Sequence, residues 1–130
     1  MKTKFDFKTI KSFEDACKKE GIDPTKLPDV SMIPEEFRGA IIAVYRLFII
    51  YKAINNGWVA DYTNNNQYKY YPWFQVNSSG SGFDFSDSNF SYDHTYADVG
   101  SRLCTDSAEK ALYIGKQFSA EYQKYFLISK

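Results

Sequence analysis

The chain carries one histidine, two cysteines and no surplus of either charge sign: sixteen lysines and arginines face sixteen acids over 130 residues. The zero balance removes any whole-molecule field that would draw the protein to nucleic acid or to an anionic membrane. Cys17 and Cys104 stand far apart, without metal-type spacing. They read as reduced, buried small hydrophobes of an intracellular protein, with one disulfide as the alternative. Residues 1–7 are charged and contain no apolar core of a secretory signal. The longest apolar run, residues 40–50, is broken by Arg46 and is too short to span a bilayer. These absences predict a cytoplasmic protein with no membrane role.

Aromatic rings are what the chain has in excess. Eleven Tyr, eleven Phe and two Trp make up 18% of it, against an ordinary apolar share of 44% and charged share of 25%. The rings must therefore supply much of the core and much of the surface. They are densest in Tyr68-Lys69-Tyr70-Tyr71-Pro72-Trp73-Phe74. Charge around that block is lopsided. Between residues 61 and 100 the only cation is Lys69, against Asp61, Asp84, Asp87, Asp93 and Asp98.

Length predicts a single domain over residues 1–130, large enough to bury a core without staples. Residues 1–10 alternate loosely, with Phe5, Phe7 and Thr9 on one side and Asp6 and Lys8 on the other, as in a short strand or extended arm. Ser12 and Asp15 have the spacing of a capping box, and Gly21 supplies the stop, so a short helix is expected between them. Pro24, Pro28 and Asp29 make residues 22–32 a connector. Pro34 followed by Glu35 and Glu36 opens the main helix, which runs over about 37–55 and closes at Asn55-Asn56-Gly57. Phe37, Ile41, Val44, Phe48, Tyr51 and Ile54, with Tyr45 beside them, step by three and four and form its expected core face. Ile42, Leu47, Ile49 and Ile50 widen that face until the helix must be central or paired with a second copy, which makes a homodimer possible.

Residues 68–76 predict a strand, on a sheet edge or bulged at Pro72, which lacks a donor N–H. Ser79-Gly80-Ser81-Gly82 reads as a hairpin turn. It is too short and wrongly placed for a phosphate loop. Phe83 and Phe85 begin a second strand, residues 86–98 a polar loop, and residues 99–104 a third strand. Thr105 or Asp106 would cap the last helix, with Ala111, Leu112, Gly115, Phe118, Tyr122 and Phe126 inward, and Ala108 at its start. The expected fold is thus α+β: a small three-stranded antiparallel sheet packed on two main helices, plus a short N-terminal helix.

Chemistry is sparse. His94, with Asp93, Asp98, Asp87 and Ser91 near it in sequence, could serve a small hydrolase or transferase, but nothing fixes an orienting partner or nucleophile. Asp84, Asp87, Ser88, Asn89 and Asp93 are hard oxygen donors without the order of a calcium loop. Asp61 and Asn64-Asn65-Asn66 are turn formers first. Arg102 needs an acid such as Asp61 or Asp98, or else anchors an anionic group. The rings could stack on single-stranded nucleic acid or on sugars, though the acidic surroundings oppose a phosphate backbone. No cofactor and no metal is expected.

Five stretches together resemble a known family: Leu27-Pro28-Asp29-Val30; Gly57-Trp58; Asn66-Gln67 running into the aromatic block; Val99-Gly100-Ser101-Arg102-Leu103-Cys104; and Gly115-Lys116-Gln117-Phe118. It is a family of short uncharacterised proteins found in bacteroidete phages, prophages and mobile elements. The likeness spans nearly the whole chain. Thr105 departs from it, because an aromatic often follows the cysteine there. The resemblance implies a phage or mobile-element setting in a bacterial host cell, and no activity or catalytic residue. The sequence therefore leads to a non-catalytic accessory protein that binds another macromolecule, most readily a protein, through Trp58, Tyr70, Tyr71 and Trp73. Tyr and Trp are the residues that concentrate binding energy at interfaces.

Overall fold

The computed structural model describes residues 4–64, 66–76, 83–93 and 102–126, and for Trp73, residues 75–76 and β2 below it describes the backbone alone. Among the described residues are four α-helices: α1 (Phe13–Glu20), α2 (Glu35–Asn55), α3 (Ala108–Gln117) and α4 (Ser119–Phe126). Two strands, β1 (Lys69–Val76) and β2 (Phe83–Asp93), pair antiparallel.

The local signals place most boundaries. Ser12 caps α1, its Oγ accepting from the Asp15 N–H at 3.1 Å. The Asp15 carboxylate reaches back to the Lys11 N–H at 3.0 Å, one residue short of the usual capping-box donor. Gly21 ends α1 at φ 70°, the left-handed region that glycine enters without a Cβ clash. Pro34 stands immediately before α2, Glu35 and Glu36 fill its first turn, and Asn56 ends it at φ 47°. The connector before α2 is held by turn chemistry and by Arg38. Its Nε donates to the Ile33 carbonyl at 2.7 Å. Residues 7–9 form a 3-10 turn instead of an extended arm, because Asp6 accepts from the Lys8 N–H and folds the chain back locally.

Three expectations are corrected. The first is the fold class. The molecule is mostly helical, and no three-stranded sheet forms among the described residues. Among the described residues the β structure is one ribbon, and beside it stands a single bridge, at Thr105, one residue beyond the segment expected to be the third strand. There Thr105 exchanges both backbone hydrogen bonds with Tyr70, at 2.9 and 2.8 Å. The reason lies in burial. Leu103, Cys104 and Thr105 are all buried in succession, and a half-covered strand must alternate. Residues 99–101 lie outside the described residues, as does the turn at 79–82.

The second correction concerns α2. It packs against α1 and α4, while the ribbon lies against α3, so the two long helical segments do not clamp one layer. The buried stripe of α2 is Ala43, Leu47, Ile50 and Ile54, with Ile49, Tyr51 and Ala53 beside it. Of the face expected from spacing, Tyr51 and Ile54 are buried, but Phe37 is 53% exposed and Phe48 42%. The helix is apolar nearly all round, so periodicity did not single out the covered side.

The third is the last helix. Ser107, not Thr105 or Asp106, is its cap, accepting from the Lys110 N–H at 3.2 Å. The helix breaks at Phe118, whose carbonyl then serves the Glu121 and Tyr122 amides that start α4. The break turns both Phe118 and Tyr122 into the core, where they are 5% and 3% exposed.

The core runs from Ile10, Phe13, Ala16 and Cys17 through the buried half of α2 to Ile114, Phe118 and Tyr122. Rings carry much of it. Phe74 of β1 meets Tyr122 with centroids 5.0 Å apart, and Tyr122 meets Phe126 at 5.4 Å. The Tyr51 and Tyr122 hydroxyls hydrogen-bond each other inside the core. Burial pushes both phenols above their ordinary value. Arg46 lies over the Phe13 ring at 4.3 Å and pairs with Glu121 at 2.9 Å, tying α1, α2 and α4 together. Tyr113 and Gln117 of α3 donate to the carbonyls of Ile10 and Lys11, at 2.7 and 2.9 Å, and fasten the N-terminal segment.

Candidate binding cleft and groove

The four expected surface residues do not share one environment. Trp58 follows the left-handed pair Asn56 and Gly57, which turns the chain sharply away from α2. It is half-buried and lines a cleft of about 620 Å³ at the C-terminal end of that helix. Tyr70 and Tyr71 are half-buried in β1 and do not line that cleft. Trp73 pairs through its backbone with Asn89, and its side chain lies outside the described residues.

Three groups of residues build the cleft. The last turns of α2 supply Phe48, Tyr51, Lys52 and Asn55. The loop after α2 supplies Trp58, Val59, Ala60 and Tyr62. Arg102 and Cys104 enter from the segment before α3. Turn chemistry shapes the loop. Asp61 accepts from the Thr63 N–H and hydroxyl at 2.9 and 2.6 Å, and Asn64 accepts from the Asn66 N–H at 2.9 Å. Those hydrogen bonds hold the Asp61 carboxyl below its ordinary range. Both segments were expected to be turn formers, and both are.

The electrostatics of the cleft are one-sided. Lys52 and Arg102 line it, and among the described residues no carboxylate does. Arg102 is exposed, and its guanidinium stands 6.0 Å from the centre of the Phe48 ring. It does not meet Asp61, one of the acids expected to pair with it, and Asp98 lies outside the described residues. Lys52 is 3.8 Å from Glu20 and 70% exposed, a loose surface pair. Asn55 is the least expected member. It is 9% exposed, and its Nδ2 donates to the Cys104 carbonyl at 3.0 Å. Its Oδ1 is buried without a hydrogen-bond partner. Flipping the amide would set Oδ1 against the Cys104 carbonyl, so the unpaired atom must be the oxygen.

Beside the cleft, Lys69 is fully buried and donates to the Gln67 carbonyl at 3.0 Å, over the Tyr62 ring at 5.0 Å. The lone cation of the aromatic block thus serves the fold. Cys104 is 2% exposed, and burial pushes its thiol up, the wrong direction for a nucleophilic thiolate. Cys17 is likewise free, buried and raised, mainly by desolvation. His94 lies outside the described residues. No group of three metal-ligating side chains occurs among the described residues.

A second concavity, an apolar groove of about 520 Å³, lies at the other end of α2. Ile33, Pro34, Phe37, Ile41 and Val44 form its floor, and Tyr125 of α4 forms its wall. Glu35 and Glu36 stand exposed in the first turn of α2, between Pro34 and Phe37 in the chain. Sequence reasoning missed the groove by assigning Phe37 and Ile41 to the core. It missed the cleft by reading Asn55 only as a helix stop. The available signal was Ala43, Leu47, Tyr51 and Asn55 at intervals of four, which puts a polar side chain on the buried stripe. Among the described residues, no helix is long and apolar enough to cross a membrane.

No protein-family model, curated protein or solved structure matches the chain.

Proposed function

We propose that this chain is a non-catalytic accessory protein, of the phage or mobile-element setting its sequence resemblance implies, that works by binding another protein. The observation that carries the reading is the groove beside α2. Phe37 is 53% exposed and Tyr125 38%, in a concavity whose other lining residues are also apolar. Single exposed apolar residues are ordinary, whereas an apolar concavity built from two helices has the shape that accepts an amphipathic helix. Glu35 and Glu36, next to Pro34 and Phe37 in the chain and neither of them ion-paired among the described residues, add negative charge at this end of α2. The partner that fits is a helix with an apolar stripe and a lysine or arginine beside it.

The test is paired capture from bacterial lysate with the wild-type chain and Phe37→Asp. Each protein retained only by the wild type is purified and titrated back by calorimetry. Support is a partner helix of the stated composition whose affinity falls at least tenfold in Phe37→Asp and falls with Glu35→Lys. A second copy of the chain as the only occupant, seen by light scattering, would replace this reading with a homodimer. Binding untouched by Phe37→Asp would end it.

A further inference from the structure

The cleft at the other end of α2 has a different character, and it does not depend on the docking groove. Three of its groups are incomplete as the molecule stands. The Asn55 Oδ1 is buried and has no donor, although the residue is more than nine-tenths buried. Buried acceptors are almost always paired, and an orphan costs about 1–3 kcal/mol in a protein interior. Arg102 has no acidic partner among the described residues, and its contact there is the face of Phe48. Trp58 is half-buried with neither a ring partner nor a hydrogen bond from its indole N–H among the described residues. All three line one cavity of about 620 Å³, within the roughly 300–1,000 Å³ typical of small-ligand sites.

Their chemistry converges on one kind of molecule. Trp58 offers a flat face for a planar ring. Asn55 Oδ1 asks for a donor, such as a ring N–H or exocyclic amine. Arg102 and Lys52 ask for an anion, and among the described residues no carboxylate lines the cleft to repel one. We propose that the cleft binds a nucleoside monophosphate, its base against Trp58 and bonded to Asn55, its phosphate held by Arg102 and Lys52. A free mononucleotide fits better than a strand. Lys69, the only cation between residues 61 and 100, is fully buried, so the aromatic block offers no exposed cation to hold further phosphates.

The experiment is calorimetric titration of the purified chain with AMP, GMP, CMP and UMP in turn. The controls are inorganic phosphate, the parent nucleosides, 4-hydroxybenzoate as an aromatic carboxylate, and a twelve-nucleotide single strand. The expected result is saturable binding of at least one monophosphate, at least tenfold tighter than its nucleoside or phosphate alone. Arg102→Gln should weaken it at least tenfold while leaving the urea unfolding midpoint of the free protein in place, since Arg102 is exposed. Trp58→Leu should weaken it comparably, and Trp58→Phe less. No saturation by any of the four at millimolar concentration would overturn the proposal. So would affinity unchanged by Arg102→Gln, equal binding of phosphate alone, tighter binding of the aromatic carboxylate, or tighter binding of the strand. None of these outcomes involves the α2 groove, so the two sites fail or stand separately.

Discussion

The two ends of α2 share one continuous helix and differ in almost everything else. Toward Asn55, the helix meets Glu20 of α1 and Tyr122 of α4, and Leu47, Ile50, Ala53 and Ile54 are completely excluded from solvent. Toward Glu35, residues of similar character are left open, and no residue before Ala43 is buried. The same difference separates the two concavities. The covered end carries a cleft whose unsatisfied groups are directional: a buried amide oxygen, a guanidinium, an indole. The open end carries a groove with area and little direction. Directional groups select a small ligand, and undirected apolar area suits another protein surface. Hydrophobicity alone does not distinguish the ends. What distinguishes them is how fully the neighbouring elements cover the helix.

Substitution at equivalent depth of sequence but opposite ends should break the comparison most sharply. Leu47→Ala and Ile50→Ala should each cost about 2–5 kcal/mol, because the emptied volume cannot fully collapse. Phe37→Ala should stay within about 0.5 kcal/mol, as for most exposed positions. Urea unfolding followed by circular dichroism measures both. Equal losses would mean that the groove end is covered in solution.

The next largest effect belongs to the buried phenol pair that joins α2 to α4. Tyr122→Phe strands the Tyr51 hydroxyl and should cost about 1–3 kcal/mol. The double change Tyr51→Phe with Tyr122→Phe should cost less than the sum of the singles, because no orphan remains. Additive losses in the double-mutant cycle would show that the two hydroxyls act independently.

The same pair predicts an alkaline limit. Both phenols are raised, mainly by burial, so above the ordinary tyrosine value of about 10 the folded chain holds protons that the unfolded chain has released. Their contribution is fully present below that pH and is lost as pH rises through the raised folded values. Unfolding midpoints at pH 8, 10 and 11 should fall only across the last interval, and the double phenylalanine variant should flatten the drop. A wild-type midpoint that holds through pH 11 would remove this account.

The smallest effect tests the cover itself. Ser12→Ala removes the cap of α1 and should cost about 1 kcal/mol. That loss should add to Phe37→Ala, at the uncovered end, within about 0.5 kcal/mol, as independent sites do. Coupling beyond that would mean that α1 supports the groove as well as the core.

Local chemistry was legible from sequence where a single residue type solves a single backbone problem. Ser12, Gly21, Pro34 and Asn56 mark helix ends because caps and left-handed turns admit few alternatives. β1 was legible from its rings and branched residues. What was not legible depends on neighbours. An all-apolar helix does not say which side α1 and α4 will cover, so Phe37 and Phe48 were assigned inward. Residues 99–104 look like strand by composition, but the tertiary path buries Leu103 and Cys104 in a row and Thr105 after them. The break at Phe118 leaves a helical pattern on both sides, so the last helix read as one. The cleft joins Asn55, Trp58 and Arg102, and Arg102 is far from the other two in sequence. No local window holds all three.

The difference between the two ends of α2 is most directly tested by native-state hydrogen exchange along its backbone. Amides from Leu47 to Asn55 should exchange only through global unfolding, with free energies that track the unfolding free energy as urea is added. Amides before Ala43 should exchange through local openings that urea barely affects. Uniform global protection along the whole helix, or stronger protection at the Glu35 end, would contradict the account.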